Sequence, residues 1–233
     1  MCLKYLTKSL PAALSLALVA AACGSSDGDS DVLPLGNLAS KVSEAFCAKA
    51  YECCNSEELE DFQGELFANE AGCRLYYSGG IETYMVTPMR NAIADGRGEY
   101  YPDKARDCLD AYNAMGCVGS NDPQDFFENC ETPYVGLQST GEECNTKFEC
   151  EYGHYCSTNT KTCELYVDEN GACGGNVEPF CKADLYCDGI SATCLPKRPV
   201  DSDCTYDYEC DYGLTCSDTD DICIEVEPVC TGK

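Results

Sequence analysis

Two textures of apolar and polar positions divide the chain. In the first, Leu38, Val42, Phe46, Ala50 and Cys53 recur at steps of three and four behind Asn37, a good N-cap residue. That spacing predicts an amphipathic helix running to about Cys54. Helices are also predicted over Leu59–Tyr76 and Ile81–Ala94, the second kinked or divided by Pro88, which lacks the donor a helix interior uses. From Asp103 to Met115 the residues Ala105, Cys108, Leu109 and Tyr112 share one face, and Asp122-Pro123 carries the acid-then-proline signature of a short helix. Residues 37–136 therefore read as a small α-helical domain.

Beyond Gly136 the apolar periodicity stops and cysteine sets the order. Cys144, Cys150, Cys156 and Cys163 are followed by Cys173, Cys181, Cys187 and Cys194, and then by Cys204, Cys210, Cys216 and Cys223. The first and third sets are spaced C-x5-C-x5-C-x6-C and the second C-x7-C-x5-C-x6-C, with nine residues between sets. Residues 137–233 thus hold three repeats, 141–163, 171–194 and 202–223, and a C-terminal tail. Each repeat, of about 20 residues, is too short to bury a core of its own. Its order must come from its bridges, each contributing about 3 kcal/mol for a loop of this length. Four cysteines allow three pairings; first to third with second to fourth is the preferred one. Midway between the second and third cysteines stand Gly153, Asp184 and Gly213, the residue types selected where a tight turn needs positive φ. Short hairpin arms are expected around these turns. The fold class is small and disulfide-rich, a helical domain stapled by disulfides followed by three short cysteine-rich repeats with little regular structure.

The total of 22 cysteines in 233 residues belongs to disulfide scaffolds and calls for an oxidising compartment, not the cytoplasm. The helical part carries Cys47, Cys53, Cys54, Cys73, Cys108, Cys117 and Cys130. Adjacent helical residues point about 100° apart, so Cys53 and Cys54 should bridge different partners. Seven cysteines here and thirteen beyond, counting Cys230, are both odd numbers. If all pair, at least one bridge joins the halves, and Cys230 to a helical-domain cysteine is the natural candidate.

The N-terminus supports the same compartment. Residues 1–22 place Lys4 and Lys8 before an apolar run, Leu10–Ala22, that is signal-peptide-like and too short to span a bilayer. The stretch Leu18-Val19-Ala20-Ala21-Ala22-Cys23-Gly24 resembles the lipobox of bacterial lipoproteins, with Ala20 where Leu is commoner. The resemblance implies lipidation of Cys23 and, with no Asp after it, sorting to the outer membrane. Ordinary cleavage after Ala22 and free secretion is the other reading. Spending Cys23 on a lipid leaves an even 20 cysteines, which favours the lipoprotein, and buried acyl chains then hold the protein on a membrane. Residues 23–36 read as the lipidated cysteine and an acidic flexible tether. Asp27, Asp29 and Asp31 alternate like calcium-loop ligands, but Val32 and Leu38 stand where the turn glycine and bidentate glutamate belong.

The formal charge is −26, and without residues 1–22 there are 13 basic residues against 41 acidic, a net of −28. That field repels nucleic acid and anionic lipid headgroups and keeps the protein soluble. Within the repeats, C-x5-C-x2-G-x-Y-C-x6-C at Cys144–Cys163 resembles the Dickkopf N-terminal cysteine-rich repeat. It looks like the form that recurs in predicted surface lipoproteins of myxobacteria and related bacteria, often behind a helical segment with a vicinal pair such as Cys53-Cys54. The resemblance implies a cell-envelope site, as an outer-membrane lipoprotein or at the extracellular surface; receptor antagonism, known for animal Dickkopf proteins, is not carried over. Departures are Asp184 for the glycine, Thr215 for the aromatic, and two extra residues before Cys181.

Candidate chemistry is sparse. His154 is the only histidine, and its counterparts are Leu185 and Leu214, so it reads as a surface or packing residue. There is no C-x-x-C, nucleophile elbow, P-loop or dinucleotide fingerprint. Asp218, Asp220 and Asp221 near Asp211 form the densest acidic group; a calcium site is conceivable and a solvated loop is the preferred reading. Tyrosine is more suggestive, with 16 in the chain and no tryptophan. Tyr152, Tyr155, Tyr186 and Tyr212, with Tyr206 and Tyr208 nearby, offer either a binding face or a shield for the disulfides. No catalytic residue, metal or cofactor is expected. The reading is a non-enzymatic, surface-anchored lipoprotein, a binding, adhesion or structural module for protein or polysaccharide. Alternatives are a secreted disulfide-rich inhibitor or effector, and a carboxylate-dependent hydrolase in the helical domain.

Overall fold

The computed structural model describes residues 32–64, 66–117, 132–174, 178–226 and 230. Helix α1 (Leu35–Cys53) buries Leu38, Val42, Phe46, Ala50 and Cys53, the five positions picked out by periodicity. It begins before Asn37, with Pro34 as N-cap and no side-chain cap. Tertiary contacts fix that start instead. Leu33 is buried, its N–H donates to Pro102 O (2.7 Å), and its carbonyl accepts from the Tyr100 hydroxyl (2.7 Å).

The single helix expected over Leu59–Tyr76 is two, α2 (Ser56–Gln63) and α3 (Glu70–Ile81). Asn55 and Glu58 form a capping box that starts α2, Gly64 at φ 48° ends it, and Asn69 accepts from Gly72 N to start α3. These local signals outweigh the continuous apolar spacing. The stretch Ile81–Ala94 is divided at Pro88, by a change of helical register and not by a break. A wide π turn, Glu82–Val86, joins α3 to α4 (Thr87–Ala94) and places Pro88 in the first turn of α4, where its missing N–H is tolerated. Thr87 and Arg90 both reach back to the Glu82 carboxylate, at 3.2 and 3.0 Å. Helix α5 (Pro102–Ala114) buries Ala105, Cys108, Leu109 and Tyr112, the face predicted. The Asp122-Pro123 helix start lies outside the described residues.

α1, α3 and α5 share one interior in which Phe46 meets Tyr77 edge-on at 4.6 Å, while Met89 and Ala92 of α4 pack in a second cluster with Tyr134. Cys47–Cys73 ties α1 to α3, and Cys53–Cys117 ties the end of α1 to the segment after α5. Cys54 turns the other way and bridges Cys230, 176 residues on, so the vicinal cysteines take different partners and the chain's last cysteine returns to the first helix. Cys108 is disulfide-bonded as well; Cys130 lies outside the described residues.

Strand β1 (Gly98–Tyr100) pairs antiparallel with β2 (Tyr134–Gly136), placing Gly98 opposite Gly136. A Cβ on Gly98 would strike the Tyr134 ring, and one on Gly136 would strike the Cys150 carbonyl. The glycine pair thus lets the first repeat settle onto the helical half. Leu137 N donates to Arg97 O (3.0 Å) and Gln138 N to Glu149 O (2.7 Å), so the boundary is bonded on both sides.

Each repeat closes on an antiparallel hairpin: β3 (His154–Cys156) with β4 (Cys163–Leu165), β5 (Leu185–Asp188) with β6 (Thr193–Pro196), and β7 (Leu214–Cys216) with β8 (Cys223–Glu225). The bridges are Cys144–Cys156 and Cys150–Cys163, Cys173–Cys187 and Cys181–Cys194, Cys204–Cys216 and Cys210–Cys223. First pairs with third and second with fourth throughout. The hydrogen-bonded unit begins earlier than the cysteine spacing implied. Gln138, Val167 and Arg198 each form a parallel bridge to the second cysteine of the repeat that follows them, Cys150, Cys181 and Cys210. Val167 follows β4 by two residues, so one repeat hands directly to the next.

Positive φ is found at Gly153 (82°) and Gly213 (76°) as expected, but Asp184 does not share it. Two other positions carry it in all three copies. Three residues before the first cysteine stand Gly141 (84°), Asn170 (65°) and Asp201 (65°), and two before the fourth stand Lys161 (59°), Ala192 (53°) and Asp221 (54°). The first group donates its N–H to the fourth cysteine's carbonyl at 2.8 to 2.9 Å, which fixes the turn.

Candidate functional site

The tyrosines proposed as a binding face fall into two groups. Tyr152 and Tyr212 each sit two residues after a second cysteine, on the turn before β3 or β7, and are 97% and 67% exposed. Tyr155 and Tyr186, each one residue before a third cysteine, are buried. They do not face solvent because the following repeat covers them. Tyr155 packs against Tyr166 (5.3 Å) and Phe180 (5.1 Å), and Tyr186 lies 6.5 Å from Tyr208. Burial pushes the Tyr155 hydroxyl up to about 12, helped by its 3.0 Å bond to Glu164. In the third repeat Thr215 replaces the aromatic, and its hydroxyl donates to Asp207 (2.6 Å).

Carboxylates that the sequence did not single out hold the repeats to their neighbours. Glu149 and Glu209, both immediately before a second cysteine, are buried. Glu149 accepts from Arg97 Nη1 (2.8 Å) and Asn145 N (3.2 Å). Glu209 accepts from Thr205 N (3.2 Å) and lies 3.6 Å from Arg198 Nε. The second repeat has Phe180 at this position and uses its extra residues instead. Glu178 accepts from Ser157 Oγ (2.5 Å), Thr158 N (2.5 Å) and Asn159 Nδ2 (3.0 Å), across the tip of the preceding hairpin. Those donors pull its carboxyl down to about 2. The shared position of Glu149 and Glu209 was a readable signal; the role of Glu178, in a segment unique to one copy, was not.

No family model, curated protein or solved structure matches this chain.

The remaining candidates offer little chemistry. His154 Nε2 lies 2.7 Å from the Thr140 hydroxyl and Nδ1 lies 3.2 Å from Tyr152 O, contacts that orient the ring on its turn. Among the described residues, the groups of three side chains placed to hold a metal are sets of disulfide-bonded cysteines, one of them with Glu58. Sulfurs spent on disulfides supply no thiolate ligand. Asp218, Asp220, Asp221 and Asp211 form no such group. Among the described residues no helix is long and apolar enough to cross a membrane. Cys23 lies outside the described residues. What the geometry provides is an acidic array of bridged repeats with Tyr152 and Tyr212 exposed on their turns.

Proposed function

We propose that the protein is a non-enzymatic lipoprotein held at the cell surface by acyl chains on Cys23, and that its array of Dickkopf-like repeats is a binding or adhesion module. The observation that carries this reading is the presentation of Tyr152 and Tyr212 at equivalent turns, each clamped between two disulfide-bonded cysteines. Large aromatic side chains on turns that are rigid before contact suit recognition, because little order is lost on binding. The lipobox-like Ala20-Ala21-Ala22-Cys23 and the acidic stretch 24–31 support an anchored arm that stands off a bilayer, shorter than the tether expected over 23–36 because Leu33 is buried and Leu35 and Gly36 already belong to α1. An oxidising location agrees with the bridges described above.

Two measurements test the proposal. Incorporation of labelled palmitate into the wild type and its loss in Cys23→Ser should accompany the move of the protein from the membrane to the soluble fraction. Crosslinking on intact cells should then recover a partner, and Tyr152→Ala together with Tyr212→Ala should reduce its yield. A Cys23→Ser chain that stays with membranes would remove the lipid anchor, and an unchanged yield from the double variant would remove the binding turns.

A further inference from the structure

The third repeat carries an aromatic feature that the other two lack. Tyr206 and Tyr208 stack with centroids 5.3 Å apart and planes 9° from parallel, yet they stay 55% and 50% exposed. Tyr208 leans on the buried Tyr186, and the Arg198 guanidinium sits 5.5 Å from the Tyr186 ring. The rings therefore make a ladder with open aromatic surface at one end, and at the other Arg198 donates from Nε (3.1 Å) and Nη2 (2.9 Å) to the Tyr186 hydroxyl. The ladder is held firmly. Asp207, between the two tyrosines, accepts from Thr215 Oγ1 (2.6 Å) and Cys216 N (2.8 Å). Glu209, next to Tyr208, is buried beside Arg198.

The chemistry of the open end selects its occupant. Tyrosine faces carry negative potential and attract cations, and a guanidinium fits best because it is planar and weakly hydrated. Charge points the same way. Residues 198–225 contain nine carboxylates against Arg198, whereas the equivalent residues 138–165 contain five carboxylates against Lys147 and Lys161. Anionic glycans and phosphates are repelled by such a surface, and a neutral sugar gains nothing from its charge. We propose that the Tyr206–Tyr208 stack is a docking surface for an arginine-bearing cationic segment of a partner protein, with guanidinium continuing the ladder and the surrounding carboxylates supplying the long-range attraction. The inference rests on the reading of the chain as a binding module and names the chemistry of its partner.

The test is calorimetric titration of the full disulfide-bonded chain with nona-arginine, with nona-lysine and with cellohexaose, at low and high salt. Nona-arginine should bind about five-fold more tightly than nona-lysine, because stacking favours guanidinium over ammonium. The preference should persist at high salt while both affinities fall. Tyr206→Ala with Tyr208→Ala should abolish the preference and leave nona-lysine binding unchanged; the melting temperature checks that the variant is folded. Tyr84→Ala, an exposed ring in the helical half, should leave the preference intact. Equal affinity for the two peptides, or a preference that survives the double substitution, overturns the proposal. Tighter, tyrosine-dependent binding of cellohexaose also overturns it, in favour of a glycan face, and leaves the binding-module reading standing. If none of the three ligands binds, cationic docking is overturned, and the crosslinking experiment decides the broader reading separately.

Discussion

The helical half and the repeats acquire an interior by opposite routes. α1, α3 and α5 bring Leu38, Val42, Phe46, Cys73, Leu109 and Tyr112 together in one packed cluster. In the first repeat the buried cluster is Cys144, Cys150 and Cys163, with Cys156 against it, and the third repeat repeats the arrangement around Cys204, Cys210 and Cys223. A helix buries what its own period places on one face. A repeat buries sulfur within itself, and its large side chain, Tyr155 or Tyr186, goes against the next repeat. In a disulfide array, side-chain packing therefore belongs to the joints between modules, while covalent bonds hold each module.

That contrast can be broken most severely in the helical half. Phe46→Ala should cost about 3–5 kcal/mol, since the site is fully buried among aromatic rings that cannot collapse onto the space. Chemical denaturation followed by far-ultraviolet circular dichroism should show it as a lowered midpoint. If the two halves are held as described, the repeat hairpins should keep their amide protection in that variant. Removing a bridge tests the converse. Cys150→Ala with Cys163→Ala should cost about 3 kcal/mol. Hydrogen exchange read by mass spectrometry should place the loss in β3 and β4 and leave α1 and α5 protected. A loss spread evenly over both halves would show that the repeats are not separately held.

The joint between the halves comes next. Arg97→Ala strips the buried Glu149 carboxylate of its ion-pair partner and should lower the denaturation midpoint by less than the loss of a bridge does, because Arg97 itself is partly exposed. Glu149→Gln in the same chain should recover part of it, because a neutral amide still accepts from Asn145 N.

Acid sharpens the comparison further. The Glu178 carboxyl lies at about 2 instead of the usual 4.5, so its bonds to the hairpin tip stabilise fully above the usual value and are lost as pH falls toward 2. Asp207 and Asp188 are also depressed by hydrogen bonds, from Thr215 and Ser191 respectively, and act in the same direction. Protonation of exposed carboxylates relieves the self-repulsion of a chain at −26 over the same range, with the opposite sign. The protection factors of the Thr158 and Asn159 amides, observed exchange set against the intrinsic rate at each pH, should therefore fall between about pH 4 and pH 2 before the helical half loosens. Uniform protection down to pH 2 would contradict this. The smallest effect belongs to Tyr152→Ser, which should move stability by no more than about 0.5 kcal/mol in a thermal melt, because the ring is almost wholly in water.

Much of this was legible in the residues. The face of α1, the buried side of α5 and the separate partners of Cys53 and Cys54 follow from short-range spacing, while the pairing within each repeat, one of three that spacing allows, is the one preferred. What escaped was set by neighbours. Leu33 starts α1 through Pro102 and Tyr100, contacts about 70 residues away in sequence. Tyr155 and Tyr186 looked exposed because a repeat taken alone has no interior, and their cover comes from Phe180 and Tyr208 in the next copy. The turn at Asp184 closes without positive φ, while Asn170 and Asp201 stand with Gly141 where the left-handed conformation is used. Those residue types tolerate it, so the residues three before each first cysteine carry the signal.

The Cys54–Cys230 bridge has a mechanical consequence. Tension applied between the start of α1 and Cys230 runs along the helix to Cys54 and crosses the sulfurs, bypassing everything between residues 55 and 229. The hairpins and the tyrosine ladder then hang on an unloaded loop. A partner gripping the array would pull against the joints of that loop, whereas drag on the two ends of the folded chain would be borne by one helix and one covalent bond.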